Sequence, residues 1–115
     1  MMNPPLKETI RALRAASKKG GVAIWSALAD GLDTAKRRRA AVNLSKINRY
    51  SEAGDIVAVP GKVLGSGSLA HPVTVAAFSF SETAREKIAL VKGRALTLME
   101  LLAEGVEPSK IRILK

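Results

Sequence analysis

The sequence predicts a single α/β domain, with two helices at its N-terminus and a strand-rich middle that hands over to further helices. Three observations lead there. Apolar residues recur at helical spacing in Leu6, Ile10 and Leu13, and again in Val22, Trp25, Leu28, Ala29 and Leu32. Residues 56–80 hold runs of β-branched and small side chains, broken by Pro60-Gly61 and Gly65-Ser66-Gly67, as in two buried strands joined by tightly turned backbone. At 115 residues the chain has the length of one domain, 1–115, and can bury roughly two-thirds of its unfolded surface.

Taken in order, Asn3-Pro4-Pro5 starts the first helix, because proline fits a first turn where its missing N–H costs nothing. Ala16 and Ser17 extend the apolar stripe, and one position round the helix Lys7, Arg11, Arg14 and Lys18 form a parallel basic stripe. Lys18-Lys19-Gly20-Gly21 stops this helix. The glycines serve either a helix–helix turn or, with the lysines and the free N–H groups of the next helix, an anion. The second helix closes near Gly31 and turns Trp25 toward the core. Lys36, Arg37, Arg38 and Arg39 make the densest charge cluster, whose repulsion Asp30 and Asp33 relieve only in part. Val42 and Leu44 alternate as in a short strand. Ser45 then caps a turn or two of helix holding Ile47 and Tyr50, on which Lys46 and Arg49 share a face. Asn43 suits a base or sugar edge as well as its commoner job of capping backbone.

Residues 55–59 read as a buried strand that Pro60-Gly61 turns into the short segment 62–64, where Lys62 either snorkels to the surface or faces a ligand. The next strand, 73–77, follows His71-Pro72. Ser81 caps a helix whose face is Ala84, Ile88 and Val91 and which Gly93 closes. Thr97 and Glu100 have capping-box spacing ahead of Leu98, Leu101 and Leu102, and the last strand, 110–114, puts Ile111 and Ile113 on one face.

The formal net charge is +9, and it is unevenly spread. Residues 1–49 carry eleven Lys or Arg against Glu8, Asp30 and Asp33, a net of +8, whereas residues 50–115 come to +1. The expected division is therefore a basic helical part, 1–49, facing a polyanion, and a core part, 50–115. Nucleic acid is the first candidate and an acidic membrane surface the second. With only Trp25, Tyr50, Phe78 and Phe80 aromatic, few side chains could stack on bases. The absence of cysteine excludes disulfides, thiolate nucleophiles and Cys-based metal sites, and suits the cytoplasm. The start of the chain lacks the apolar stretch of a signal peptide, and no apolar run approaches the roughly 18 residues of a membrane span.

Chemistry finds little to work with. Gly65-Ser66-Gly67-Ser68-Leu69-Ala70 matches G-x-G-x-x-A, but a dinucleotide site needs a helix there, and His71-Pro72 with the β-branched run after it forbids one. The phosphate-loop pattern fails around Gly61-Lys62 for want of the earlier glycine and a following Ser or Thr. His71 is the sole histidine and sits as a turn residue before proline; no G-x-S-x-G elbow accompanies it. The expectation is a protein with no catalytic residue, metal, cofactor or small-molecule substrate.

Val59-Pro60-Gly61-Lys62-Val63-Leu64-Gly65-Ser66-Gly67, followed by Val73-Thr74-Val75-Ala76-Ala77 and Phe80-Ser81, strongly resembles the archaeal and eukaryotic large-subunit ribosomal protein family L eighteen-e, related to bacterial ribosomal protein L fifteen. The likeness extends to Asn3-Pro4, Trp25, Arg37-Arg38, Val42-Asn43-Leu44, Ile47, Arg49-Tyr50 and residues 84–88, and so to essentially the whole chain. It implies an α/β fold of irregular β-β-α units and a structural role on large-subunit ribosomal RNA in the cytoplasm, beside neighbouring ribosomal proteins. Eukaryotic members carry a long basic C-terminal extension, so an archaeal-type member is expected. Lys92-Gly93 departs from the glycine pair that related sequences often have there. The residues expected on RNA phosphates are Lys7, Arg11, Arg14, Lys18, Lys19, Lys36, Arg37, Arg38, Arg39, Lys46, Arg49 and Lys62, recognising folded RNA by shape and backbone. The rival reading, a free-standing nucleic-acid-binding protein of chromatin-like or regulatory type, accounts for the charge but not for the central stretch.

Overall fold

A computed structural model describes residues 6–115; the expected proline start of the first helix lies outside them. Helix α1 (Leu6–Gly20) buries Leu13 and lays Leu6, Ile10 and Ala16 against the core, as their spacing predicts. Gly21, at φ 64°, reverses the chain into α2 (Ala23–Leu32), which buries Trp25, Leu28, Ala29 and Leu32. A 3-10 turn (Lys36–Arg38) leads into β1 (Ala40–Asn43) and then α3 (Leu44–Tyr50). Next come β2 (Ile56–Leu64), β3 (Thr74–Phe80), α4 (Glu82–Leu90), β4 (Arg94–Thr97) and α5 (Leu98–Ala103). A second 3-10 turn (Pro108–Lys110) precedes β5 (Ile111–Ile113).

The architecture is α/β, with every strand pairing in the sheet parallel. The strand order is β1-β2-β3-β4. Since β3 occupies one side of β2, β5 and β1 share the other, β5 beside residues 56–58 and β1 beside residues 61–64. Successive side chains of a strand point to opposite faces, so β2 feeds two cores. Val57, Val59 and Val63 join Val42, Leu44, Ile47, Val75, Ala84 and Ile88 on the α3–α4 face. Ala58 joins Ala76, Leu13, Trp25, Leu28, Leu32, Leu98 and Leu101 on the α1–α2–α5 face. Both the basic first part of the chain and the remainder therefore supply core.

The central stretch departs from expectation in an instructive way. Pro60-Gly61 does not turn the chain; both residues lie inside a continuous β2, where the register to β3 shifts between Val59 and Lys62. Proline is confined in sheets to bulges, edges and strand starts. Pro60 falls at that bulge and in the interval between β5 and β1, in register with a residue of neither neighbour. Gly61 is required by close approach: a Cβ there would run into the carbonyl of Ala40 on β1.

Parallel neighbours normally need a crossover of about a dozen residues or more, usually a helix. Residues 65–73 make the β2–β3 crossover without one, returning along the α3–α4 face. An extended chain covers about 3.3 Å per residue, enough to retrace a seven-residue strand. The loop is pinned at several points. Ser45 N–H donates to the Ser66 carbonyl at 3.2 Å, and Ala70 N–H to Asn48 Oδ1 at 2.9 Å. Lys87 Nζ donates to the carbonyls of Gly65 and Gly67 at 2.7 and 2.9 Å, and Leu69 is buried in the core.

The ends of helices supply the other departures. Ser45 is not the cap of α3; Asn43 holds the N-cap position without a side-chain cap bond, and Leu44 opens the helix. α2 does close near Gly31, at Leu32, and Gly31 itself is required by space, since a Cβ there would meet the Pro60 ring at 2.7 Å. Ser81 does cap α4, accepting from Ala84 N–H at 3.1 Å, and the Thr97–Glu100 capping box forms as expected. Gly93 does not close α4 by a left-handed turn; Lys92 takes that conformation at φ 61°. Lys92 N–H donates to Ala89 O and Gly93 N–H to Ile88 O, the two bonds of a Schellman motif. Gly93 is held instead by space, since a Cβ would lie 2.6 Å from the Val73 carbonyl.

Candidate nucleic-acid interface

The basic side chains singled out from sequence fall into three groups. On α1, Lys7, Arg11, Arg14 and Lys18 are exposed and line one shallow depression with Ile10, Ala15 and Asp33. Lys18 and Lys19 also occupy the last turn of α1, where the negative end of the helix dipole favours cations. Arg14 differs from the rest of its stripe: its guanidinium donates to Asp30 and to Asp33, each at 3.0 Å. The Asp33 and Asp30 hydrogen bonds raise its pKa above an already high ordinary value, so it remains a cation throughout. Asp30 and Asp33 are thus engaged with α1 and not with the cluster that follows them. The turn between α1 and α2 is fixed internally, with Ser17 Oγ donating to the Val22 carbonyl at 3.0 Å.

The second group lies where the sheet emerges from under α2. Lys36, Arg37 and Arg38 form the 3-10 turn, all exposed. Arg39 is anchored by Nε donating to the Leu32 carbonyl at 3.1 Å, at the C-terminal end of α2. Lys62 stands on β2 beside Ala41 of β1 and Ser79 of β3. These elements bring Lys36, Arg39 and Lys62 together around one groove whose remaining lining is Ala40, Ala41, Gly61, Phe78 and Ser79. Residues 33–39 link this groove to the α1 stripe, since Asp33 lines the first depression and Lys36 the second.

The third group is separate. Lys46 and Arg49 sit on α3, whose Leu44 and Ile47 are buried on the opposite face of the sheet. Lys46 Nζ donates to the Lys115 carbonyl, and the Arg49 guanidinium lies 5.9 Å from the centre of the Tyr50 ring. The first and third groups thus lie on opposite faces of the sheet.

Other cations went unnoticed in the sequence. Arg112 joins Arg49 in a polar depression with Tyr50, Ser51, Glu52 and Asp55, and donates to the Tyr50 carbonyl at 2.6 Å. Arg85 stacks over Phe80 at 5.0 Å, and Arg94 pairs with Glu104. Isolated charges in mixed surroundings carry no sequence signal that separates these roles. His71 has a structural part: Ser51 Oγ donates to the Ile47 carbonyl, which leaves its lone pairs for His71 Nε2 at 3.0 Å. Among the described residues no cluster of His, Asp or Glu is arranged to hold a metal, and no helix is long and apolar enough to cross a membrane.

The family model described as ribosomal proteins 50S-L15, 50S-L18e and 60S-L27A matches residues 22–96, from the end of the α1–α2 turn to β4. The chain belongs to this family. Its relatives there include proteins named large ribosomal subunit protein eL18. That of Methanothermobacter thermautotrophicus is 50% identical over 113 residues, covering 98% of this chain and 93% of that protein. That of Methanococcus maripaludis is 48% identical over 112 residues, 97% and 93% of the two chains. The Sulfolobus acidocaldarius protein is 50% identical over 95 residues, 83% and 80% of the two. The family match spans the groove and the central stretch, while α1 with its basic stripe lies before it.

Proposed function

We propose that this chain is a structural component of the large ribosomal subunit in the cytoplasm, binding folded ribosomal RNA through phosphate contacts beside neighbouring ribosomal proteins. One observation carries the reading. Of the twelve basic residues singled out above, only Arg14 bonds an acidic side chain among the described residues. A protein that used this charge only for solubility would be expected to intersperse acids among the cations; here the excess is left open to a polyanion. The relatives' names, large ribosomal subunit protein eL18, and their near full-length similarity to this chain support ribosomal RNA as that polyanion.

Mechanistically, each Lys or Arg that meets a phosphate releases condensed counterions, so affinity falls as salt rises. The RNA-facing part is residues 1–49 with Lys62. The chain does no chemistry; it holds RNA segments in place, and the two packed cores keep the cationic groups at fixed separations. The test is a salt titration of binding to large-subunit RNA. About six phosphate contacts give a loss of roughly a thousandfold between 50 and 200 mM salt, by analogy with duplex DNA. Affinity that hardly changes over that range would overturn the phosphate mechanism.

A further inference from the structure

We propose that the groove at the β1–β2–β3 end of the sheet receives a single unstacked nucleotide of the bound RNA, with its base laid against Phe78 and its flanking phosphates on Lys36, Arg39 and Lys62. This rests on the RNA-binding reading above and specifies what that RNA has to offer at one point.

The groove is built by small residues. Ala40 lies beside Gly61, and Ala41, Lys62 and Ser79 form one row across three strands, so the sheet surface sinks there. Helix α2 does not cover the depression: it ends at Leu32, and its Gly31 packs on Pro60, one residue short of the groove. The cavity left is about 250 Å³. Cavities for drug-sized ligands run to about 300–1,000 Å³, so this one suits one planar ring system and not a stacked run.

Its chemistry is that of a nucleotide. Half-buried Phe78 packs on the α1–α2 core and also lines the groove, giving a fixed aromatic wall. No acidic side chain lines it. Lys36 and Lys62 are exposed and make no ion pair among the described residues. Among the described residues Arg39 bonds only through Nε, which leaves its terminal nitrogens for a phosphate. Ser79 brings a hydroxyl able to donate to or accept from a base edge. An acidic peptide would satisfy the three cations equally well but has no use for the aromatic wall, which is why RNA is favoured.

The experiment uses the whole protein at one salt concentration and three RNA hairpins with the same stem: fully paired, with a one-nucleotide bulge, and with that bulge made abasic. Bulges of all four bases are pooled, because stacking is tolerant of base identity. Wild-type protein should prefer the bulged hairpin over the other two by about 5- to 150-fold, the range that stacking of one base on an aromatic ring gives. Phe78→Leu keeps the apolar fill and removes the ring; it should melt near wild type and bind all three hairpins as wild type binds the paired one. Equal binding of the three RNAs by wild type, with steep salt dependence retained, would overturn the nucleotide pocket and leave the RNA reading standing. Absence of salt-sensitive binding to any hairpin would overturn both. If wild-type protein bound poly-glutamate more tightly than bulged RNA at the same salt, the groove would belong to an acidic segment and the proposal would fail.

Discussion

Gly61→Ala is the smallest change that attacks the way β1 is held, and its effect can be worked from the geometry. The added Cβ would run into the backbone carbonyl of Ala40. No side chain can rotate away, so β1 has to part from β2. Their ladder spans four register pairs, from Ala40–Gly61 to Asn43–Leu64. Backbone hydrogen bonds contribute roughly 1 kcal/mol each. Val42, 1% exposed on that strand, contributes about 1.5–3 kcal/mol by burial. Partial separation therefore costs about 3–5 kcal/mol, a large share of the 5–15 kcal/mol that holds a typical domain together. At about 4 °C per kcal/mol for a chain of this size, the thermal midpoint should fall by roughly 12–20 °C. Circular dichroism melting reads this directly. Gly20→Ala is the matched control, because a Cβ there meets only Val22 Cγ2 at 3.4 Å, an ordinary contact. A Gly61→Ala midpoint within about 2 °C of wild type would refute the reasoning, since a backbone clash of this kind has no cheap relief.

Three further expectations accompany it. Replacing Arg37, Arg38 and Arg39 by Gln should leave thermal unfolding cooperative and make the log–log salt slope of RNA binding shallower by up to about 3, one per lost phosphate contact; an unchanged slope would mean the cluster is merely solvated. Lys92→Gly should stabilise the fold by about 1 kcal/mol, because exposed Lys92 holds a left-handed conformation that glycine adopts freely; denaturant titration checks it, and a loss of stability would contradict the Schellman assignment. Lys87→Met should free the 65–73 crossover by removing two charge-assisted bonds to its carbonyls, at a cost of about 2 kcal/mol, with amide exchange rising first in that loop and not in β2; uniform exchange would contradict the clamp.

How far the sequence reached follows from which interactions are local. Helical spacing exposed Leu13, Trp25, Leu28 and Ile88 as core, and the Thr97–Glu100 box announced α5, because both signals depend on neighbours within one turn. Pro60-Gly61 misled because proline and glycine usually mark turns; their place inside β2 depends on where β5 ends and β1 begins, about 50 residues later and about 20 residues earlier in the chain. β4 was missed since Arg94-Ala95-Leu96-Thr97 is too short to show a period and is a strand only because β3 lies beside it. Lys87 carries no signal of its own in the sequence, although it pins the loop that carries the family likeness. The basic stripe of α1 was visible from spacing alone, but the groove was not: Lys36, Arg39, Lys62 and Phe78 meet only through the sheet register.

Sedimentation tests the central proposal most directly. Tagged protein expressed in an archaeal cell is run through a sucrose gradient at moderate salt, and the fractions are probed for the tag. The account predicts a peak that coincides with the large subunit and moves to the top of the gradient when the salt is raised. Tag that stays at the top at moderate salt, with the large-subunit peak empty of it, would contradict the proposal and leave the free-standing nucleic-acid binder in its place.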